Sequence, residues 1–225
     1  MAREIRNAVL FGQVPQLMFI VAATRFPMPL ELFYILLFLI LGIQVYFFER
    51  DNPKIRVVET RQYQFRQAPR QAGAGALIGL LIALPAIFWG QLIVGPSIFS
   101  DFVTQAIFVS FVETLYLIVF VETLWYKDRQ IGIWIWPLAF GFLHVREEVL
   151  AGSLTNLTFF KFSYAAVFGA LFWILYAARD LLPESSSRWF GAVTSWTAHL
   201  VVNMSILVFR LVLWGLELFP LQIGG

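Results

Sequence analysis

The chain has 225 residues, of which 60% are hydrophobic and 13% charged, with a mean hydropathy of +0.76. A soluble globular domain averages about 45–50% apolar and about 25% charged residues, so the composition excludes a water-soluble fold and points to a polytopic membrane protein. The net charge of +2 sits in connecting segments and gives no basis for nucleic-acid binding, and the lack of cysteine excludes disulfide frameworks, thiolate metal sites and cysteine nucleophiles.

Hydropathy marks about seven spans in chain order. The first, Val9 to Thr24, is interrupted by Gln13, Pro15 and Gln16. Arg3 and Arg6 ahead of it give it the look of a signal peptide, but no A-x-A-like site closes the run and more apolar segments follow, so it is expected to be retained. The second span runs from Leu30 to Phe48, followed by an arginine-rich connector over residues 49–72. That connector reads as a solvated cytoplasmic loop; a basic amphipathic helix on anionic lipid is the alternative. The third span begins near Gly73 and ends near Val94. Then come Phe102 to Trp125, Ile131 to Leu150, Phe162 to Ala178, and a last span from Trp189 towards Phe219.

Three segments on one side are basic (Arg3 with Arg6, the long connector, and Lys127 with Arg129), which puts the N-terminus in the cytoplasm, because positive loops stay inside. Trp125, Tyr126, Trp134, Trp136 and Trp189 fall at the expected interfaces, as an aromatic belt does. The organisation expected is therefore all-α. Residues 1–100 supply membrane helices and the basic connector, and residues 101–215 a helical core.

Polar groups in hydrocarbon cost about 2.5–3.5 kcal/mol each on insertion scales and need a partner or a purpose. Four stand out: Glu113, His144, His199 and Asn203, and the two histidines are the only ones in the chain. At about 1.5 Å of rise per residue, three different spans present them within one slab near mid-membrane. His199 and Asn203, four apart, share a helix face. Glu113 and Glu122 point to opposite faces; Glu122, next to Trp125, Tyr126 and Lys127, can reach an interface and Glu113 cannot. Tyr116 shares the Glu113 face. Glu148, four after His144, is either an added ligand or part of a solvated Arg146-Glu147-Glu148 end, and the second reading is preferred.

A buried carboxylate beside two imidazoles can activate water, with the carboxylate as general base. The imidazoles can hold the water, polarise a carbonyl, or bind a divalent metal such as zinc through His144 and His199. The Asn203 amide can orient a histidine or donate into an oxyanion site. Taken singly, each of these residues is explained as well by an interhelical hydrogen bond; their convergence is what points to amide hydrolysis inside the membrane.

The C-terminal half resembles the CPBP intramembrane proteases, the CAAX-protease, bacteriocin-processing and abortive-infection group. FGFLH matches FxxxH through Phe140 and His144, VFGALFWILY matches the Gly-containing helix through Phe168 and Gly169, and HLVVN matches HxxxN through His199 and Asn203. The first motif, EExxxR, is met by FVETLYL, where Val112 stands for the first glutamate, Glu113 keeps the second, and Leu117 takes the place of the arginine. The resemblance implies that Glu113 activates water, that His144 and His199 complete the site, and that Asn203 supports it. Substrates would be prenylated C-terminal peptides, leader peptides or other membrane-associated chains.

Three alternatives stand beside it. One is an inactive relative acting as a scaffold subunit among other subunits of a membrane complex, a reading that the altered first motif favours. Another is a protein in which His144 and His199 ligate haem or chlorophyll, for which one histidine per helix suffices. The third is a transporter with a Glu/His proton relay, although no internal repeat supports it.

Overall fold

The structure, a computed structural model, describes residues 18–19, 22, 26, 29–51, 62–93, 102–124 and 129–218. Among the described residues there is no strand. Helix α1 spans Leu30–Asp51 and α2 Gln62–Ile93. A π-helical segment, Phe102–Val109, runs directly into α3, Ser110–Leu124. Helix α4 spans Arg129–Ala151, α5 Asn156–Leu181, α6 Glu184–Ser187 and α7 Ala192–Leu218.

Four stretches are long and apolar enough to cross a membrane: Leu32–Arg50, Arg66–Phe88, Asn156–Leu181 and Ser185–Phe209, with mean hydropathies from 1.5 to 2.1. Ala106–Phe120 is a shorter apolar helix. Hydrocarbon offers the backbone no hydrogen-bonding partner, so apolar segments of this length close their bonds internally as helices. The first expected span, Val9 to Thr24, falls almost wholly outside the described residues.

The expected connector differs from what forms. Its first residues, Glu49 to Asp51, complete α1, and from Gln62 onward it is the beginning of α2. Gln71, expected in a solvated loop, is buried and donates through Nε2 to the Phe190 carbonyl at 3.2 Å. The long α2 carries Pro69 and Pro85 in its interior, which membrane helices tolerate when neighbours satisfy the freed carbonyls.

Helix α2 packs most extensively on α7, and α4 on α5. The α2–α7 approach depends on two glycines. A Cβ on Gly75 would sit 2.9 Å from Thr197 Cβ, and one on Gly79 2.8 Å from Val201 Cβ and 2.9 Å from the Ala198 carbonyl. Absent side chains thus let two backbones touch where lipid gives no hydrophobic drive to associate.

The loop from α4 to α5 is short and specified at both ends. Gly152, with φ +68°, closes α4 by a Schellman arrangement: its N–H donates to Val149 O at 3.2 Å and that of Ser153 to Glu148 O at 2.9 Å. Thr155 then caps α5. Its hydroxyl accepts from the Thr158 N–H, and the Thr158 hydroxyl accepts from the Thr155 N–H, both at 3.2 Å. The resulting antiparallel pair sets His144 on α4 against the middle of the bundle.

One apolar cluster joins helices from both sides of residue 100: Phe33, Tyr34 and Leu37 of α1 share it with Val112, Tyr116, Trp136, Phe140, Phe172 and Ala198. Trp136, expected at an interface, lies inside it, 1% exposed. Its indole donates to Gly169 O at 3.1 Å, and it packs edge-on against Tyr116 at 5.2 Å. A buried Trp needs such a partner for its N–H, and α5 supplies one. Trp134, on another face of the same helix, stays exposed as expected. Trp125 and Tyr126 lie outside the described residues.

Candidate functional site

Three side chains from three helices meet at one carboxylate. Glu113, in the first turn of α3, is 3% exposed. His199 Nε2 of α7 lies 3.3 Å from its Oε2, and His144 Nε2 of α4 lies 3.8 Å from its Oε1. The helical placement expected of Glu113, His144 and His199 is therefore what brings them together. Asn203 stands one turn beyond His199 on α7 and is half-buried.

The two histidines are held differently. His199 is buried, and the Phe172 ring stacks on it with centroids 4.3 Å apart and planes 23° apart. Phe140 covers another side at 6.2 Å. The side chain of His144 is 35% exposed. Its Nδ1 lies 2.9 Å from the Phe140 carbonyl; a carbonyl can only accept, so Nδ1 carries the hydrogen and a neutral His144 presents Nε2 as an acceptor towards Glu113.

Phe140, the first residue of the FxxxH pattern, is thus the seat of the site rather than a bystander. Its ring touches His144 at 4.6 Å, and its carbonyl fixes the tautomer. Gly169 makes room for it, because a Cβ there would stand 2.9 Å from Phe140 Cδ1 and 3.0 Å from its Cβ.

Immediately after His144, α4 breaks. Val145 has φ −119° and ψ 15°, outside helical values. The break redirects Arg146, expected at a solvated end, into the bundle. Its guanidinium lies 4.6 Å over the Phe33 ring and donates from Nη1 to Leu143 O at 2.8 Å. Glu148, by contrast, pairs with Lys161 at 2.7 Å, each about a quarter exposed. It belongs to the outer end of α4 and is no ligand of the site.

One member was not legible in the sequence. Tyr34 of α1, buried, donates its hydroxyl to Glu113 Oε1 at 2.6 Å across 79 residues of chain. A tyrosine in an aromatic-rich apolar span carries no local signal that separates it from core or lipid-facing filler.

His144 and His199 are the side chains that a metal ion, or a haem or chlorophyll, would need here. Among the described residues no group of three or more His, Asp or Glu side chains is placed to hold a metal ion. His144 Nδ1 is engaged by the Phe140 carbonyl, and the Nε2 atoms of both histidines face Glu113. No step below is routed through either group.

No family model, no curated protein and no solved structure matches this chain.

Proposed function

We propose that the protein is an intramembrane endopeptidase of the CPBP type, built on a seven-span bundle, that hydrolyses membrane-associated or lipidated peptides with a water activated by Glu113 and His144. The observation that carries this reading is a buried carboxylate with an imidazole beside each oxygen, one of them on the open side of the site. The CPBP-like motif order, Glu113 then His144 then His199 and Asn203, supports it.

The chemistry follows from donors and acceptors. Glu113 Oε1 and His144 Nε2 both accept, so a water between them donates a hydrogen to each and turns a lone pair outward. Attack forms a bond from that oxygen to the substrate carbonyl carbon, and the proton released goes to Glu113. Collapse of the tetrahedral intermediate breaks the C–N bond, and the same proton passes to the leaving amine. His199 steadies the carboxylate through Oε2, and Asn203, one turn beyond it on α7, is assigned the supporting role at the oxyanion.

A second reading, an inactive scaffold subunit, has its own observation in its favour. Val112 and Leu117, at the positions of the first glutamate and the arginine, are fully buried packing residues at 0% and 1% exposure. The deciding experiment exposes membrane-anchored peptide libraries to purified wild type, Glu113→Gln and His199→Ala. Cleavage by wild type alone establishes the protease. Folded, uncleaving proteins that all retain the same co-purifying subunits establish the scaffold.

A further inference from the structure

We infer that Tyr34 is a positioning residue for Glu113, which makes the first described helix, α1, a working part of the site. This rests on the reading of Glu113 as the base, and three observations support it.

The first is which oxygen Tyr34 selects. Its hydroxyl donates to Oε1 at 2.6 Å, while His199 lies 3.3 Å from Oε2. A carboxylate free to rotate about its terminal bond would exchange the two oxygens. With one held from α1 and the other from α7, they cannot exchange. Oε1 is the oxygen that faces His144, the most exposed member of the group. One of its lone pairs is taken by the phenol, leaving the other aimed at the open side, where a water and a substrate carbonyl arrive.

The second is the nature of the bond. A hydroxyl donating to an ionised oxygen forms a short charge-assisted hydrogen bond, roughly twice as strong as a neutral one. Away from bulk water such a bond is electrostatically stronger than in solution. The phenol keeps its own proton throughout the reaction; the proton from water goes to Glu113 and then to the amine, so the balance is unchanged by Tyr34.

The third is that Tyr34 does not depend on this bond for its place. Phe33 packs edge-on against the Tyr34 ring at 5.2 Å, and Arg146 lies over the other part of the Phe33 ring at 4.6 Å. The break at Val145 is what sends Arg146 there. The start of α1 is thereby joined to α4 by the Phe33–Arg146 contact. A purely structural tyrosine would need its hydroxyl to hold α1; here stacking already does so, and the hydroxyl is left to act on the carboxylate.

The test uses the purified full chain in lipid nanodiscs and compares wild type, Glu113→Gln, Tyr34→Phe and Phe33→Leu. Infrared difference spectra between wild type and Glu113→Gln isolate the Glu113 carboxyl band, and cleavage of an anchored peptide gives kcat and KM. Tyr34→Phe should displace the band and lower kcat by about 10- to 100-fold with KM unchanged, the range expected for one hydrogen bond to a charged group. Phe33→Leu should lower the melting temperature and move both readouts less than Tyr34→Phe does, because the hydroxyl that reaches Glu113 is kept. An unmoved carboxyl band in folded Tyr34→Phe overturns the inference whatever the activity. A displaced band in a protein that cleaves nothing upholds the Tyr34–Glu113 coupling and places the failure on the protease reading instead.

Discussion

Replacing Glu113 by glutamine separates a functional carboxylate from a structural one through stability alone. The side chain is 3% exposed, accepts from Tyr34 at 2.6 Å and faces His199 at 3.3 Å. Burying an ionised carboxylate costs several kcal/mol even after relaxation. Glutamine has nearly the same shape, and its carbonyl oxygen can still accept from the Tyr34 hydroxyl. What is lost is the difference between a charged and a neutral hydrogen bond, about 1 kcal/mol. What is recovered is the larger desolvation term. Glu113→Gln should therefore be as stable as wild type or more so, by on the order of 1–3 kcal/mol, while cleavage falls by at least about 10²-fold. Glu113→Leu provides the contrast. It removes the acceptor and leaves the buried phenol unsatisfied, so it should lie about 1–3 kcal/mol below the glutamine variant. Unfolding in mixed micelles, followed by tryptophan fluorescence, measures all three proteins. If the glutamine variant instead loses more than about 2 kcal/mol, the carboxylate is held for the fold, and its assignment as a functional base is refuted.

Other expectations follow from the same contacts. Gly79→Leu would push a side chain into Val201 and the Ala198 carbonyl, so it should destabilise by about 1–3 kcal/mol or separate α2 from α7, detected as a lower melting temperature and a faster proteolytic cut in α2. Phe172→Ala removes the ring stacked on His199 from a 4% exposed position, which should cost about 3–5 kcal/mol and reduce turnover per folded molecule; unchanged turnover would show that His199 needs no such support. Lys161→Ala breaks an ion pair whose members are each about a quarter exposed, so stability should change by at most about 1 kcal/mol, less at high salt, with cleavage unaffected. Loss of cleavage there would return Glu148 to the site.

The sequence by itself determined the features that depend on local pattern. Composition and uncharged run length dictated membrane helices, because every backbone group in hydrocarbon must be satisfied within its own segment. The sequence also put Glu113, His144 and His199 on three separate helices, and their polar groups amid apolar runs marked them as residues in need of partners. The tertiary structure decided what depends on distant segments. Gln71 looked like part of a charged loop until the Phe190 carbonyl gave its amide a partner. Trp136 looked interfacial until Gly169 exposed a carbonyl to its indole. Arg146 lies over the Phe33 ring directly after the break in α4 at Val145, a bend that neither Val145 nor its neighbours announce. Tyr34 is the clearest case, since its partner lies 79 residues away. Periodicity tells which residues share a helix face, but which face meets which neighbour is set by packing of the whole bundle, and that information is carried by no single stretch of chain.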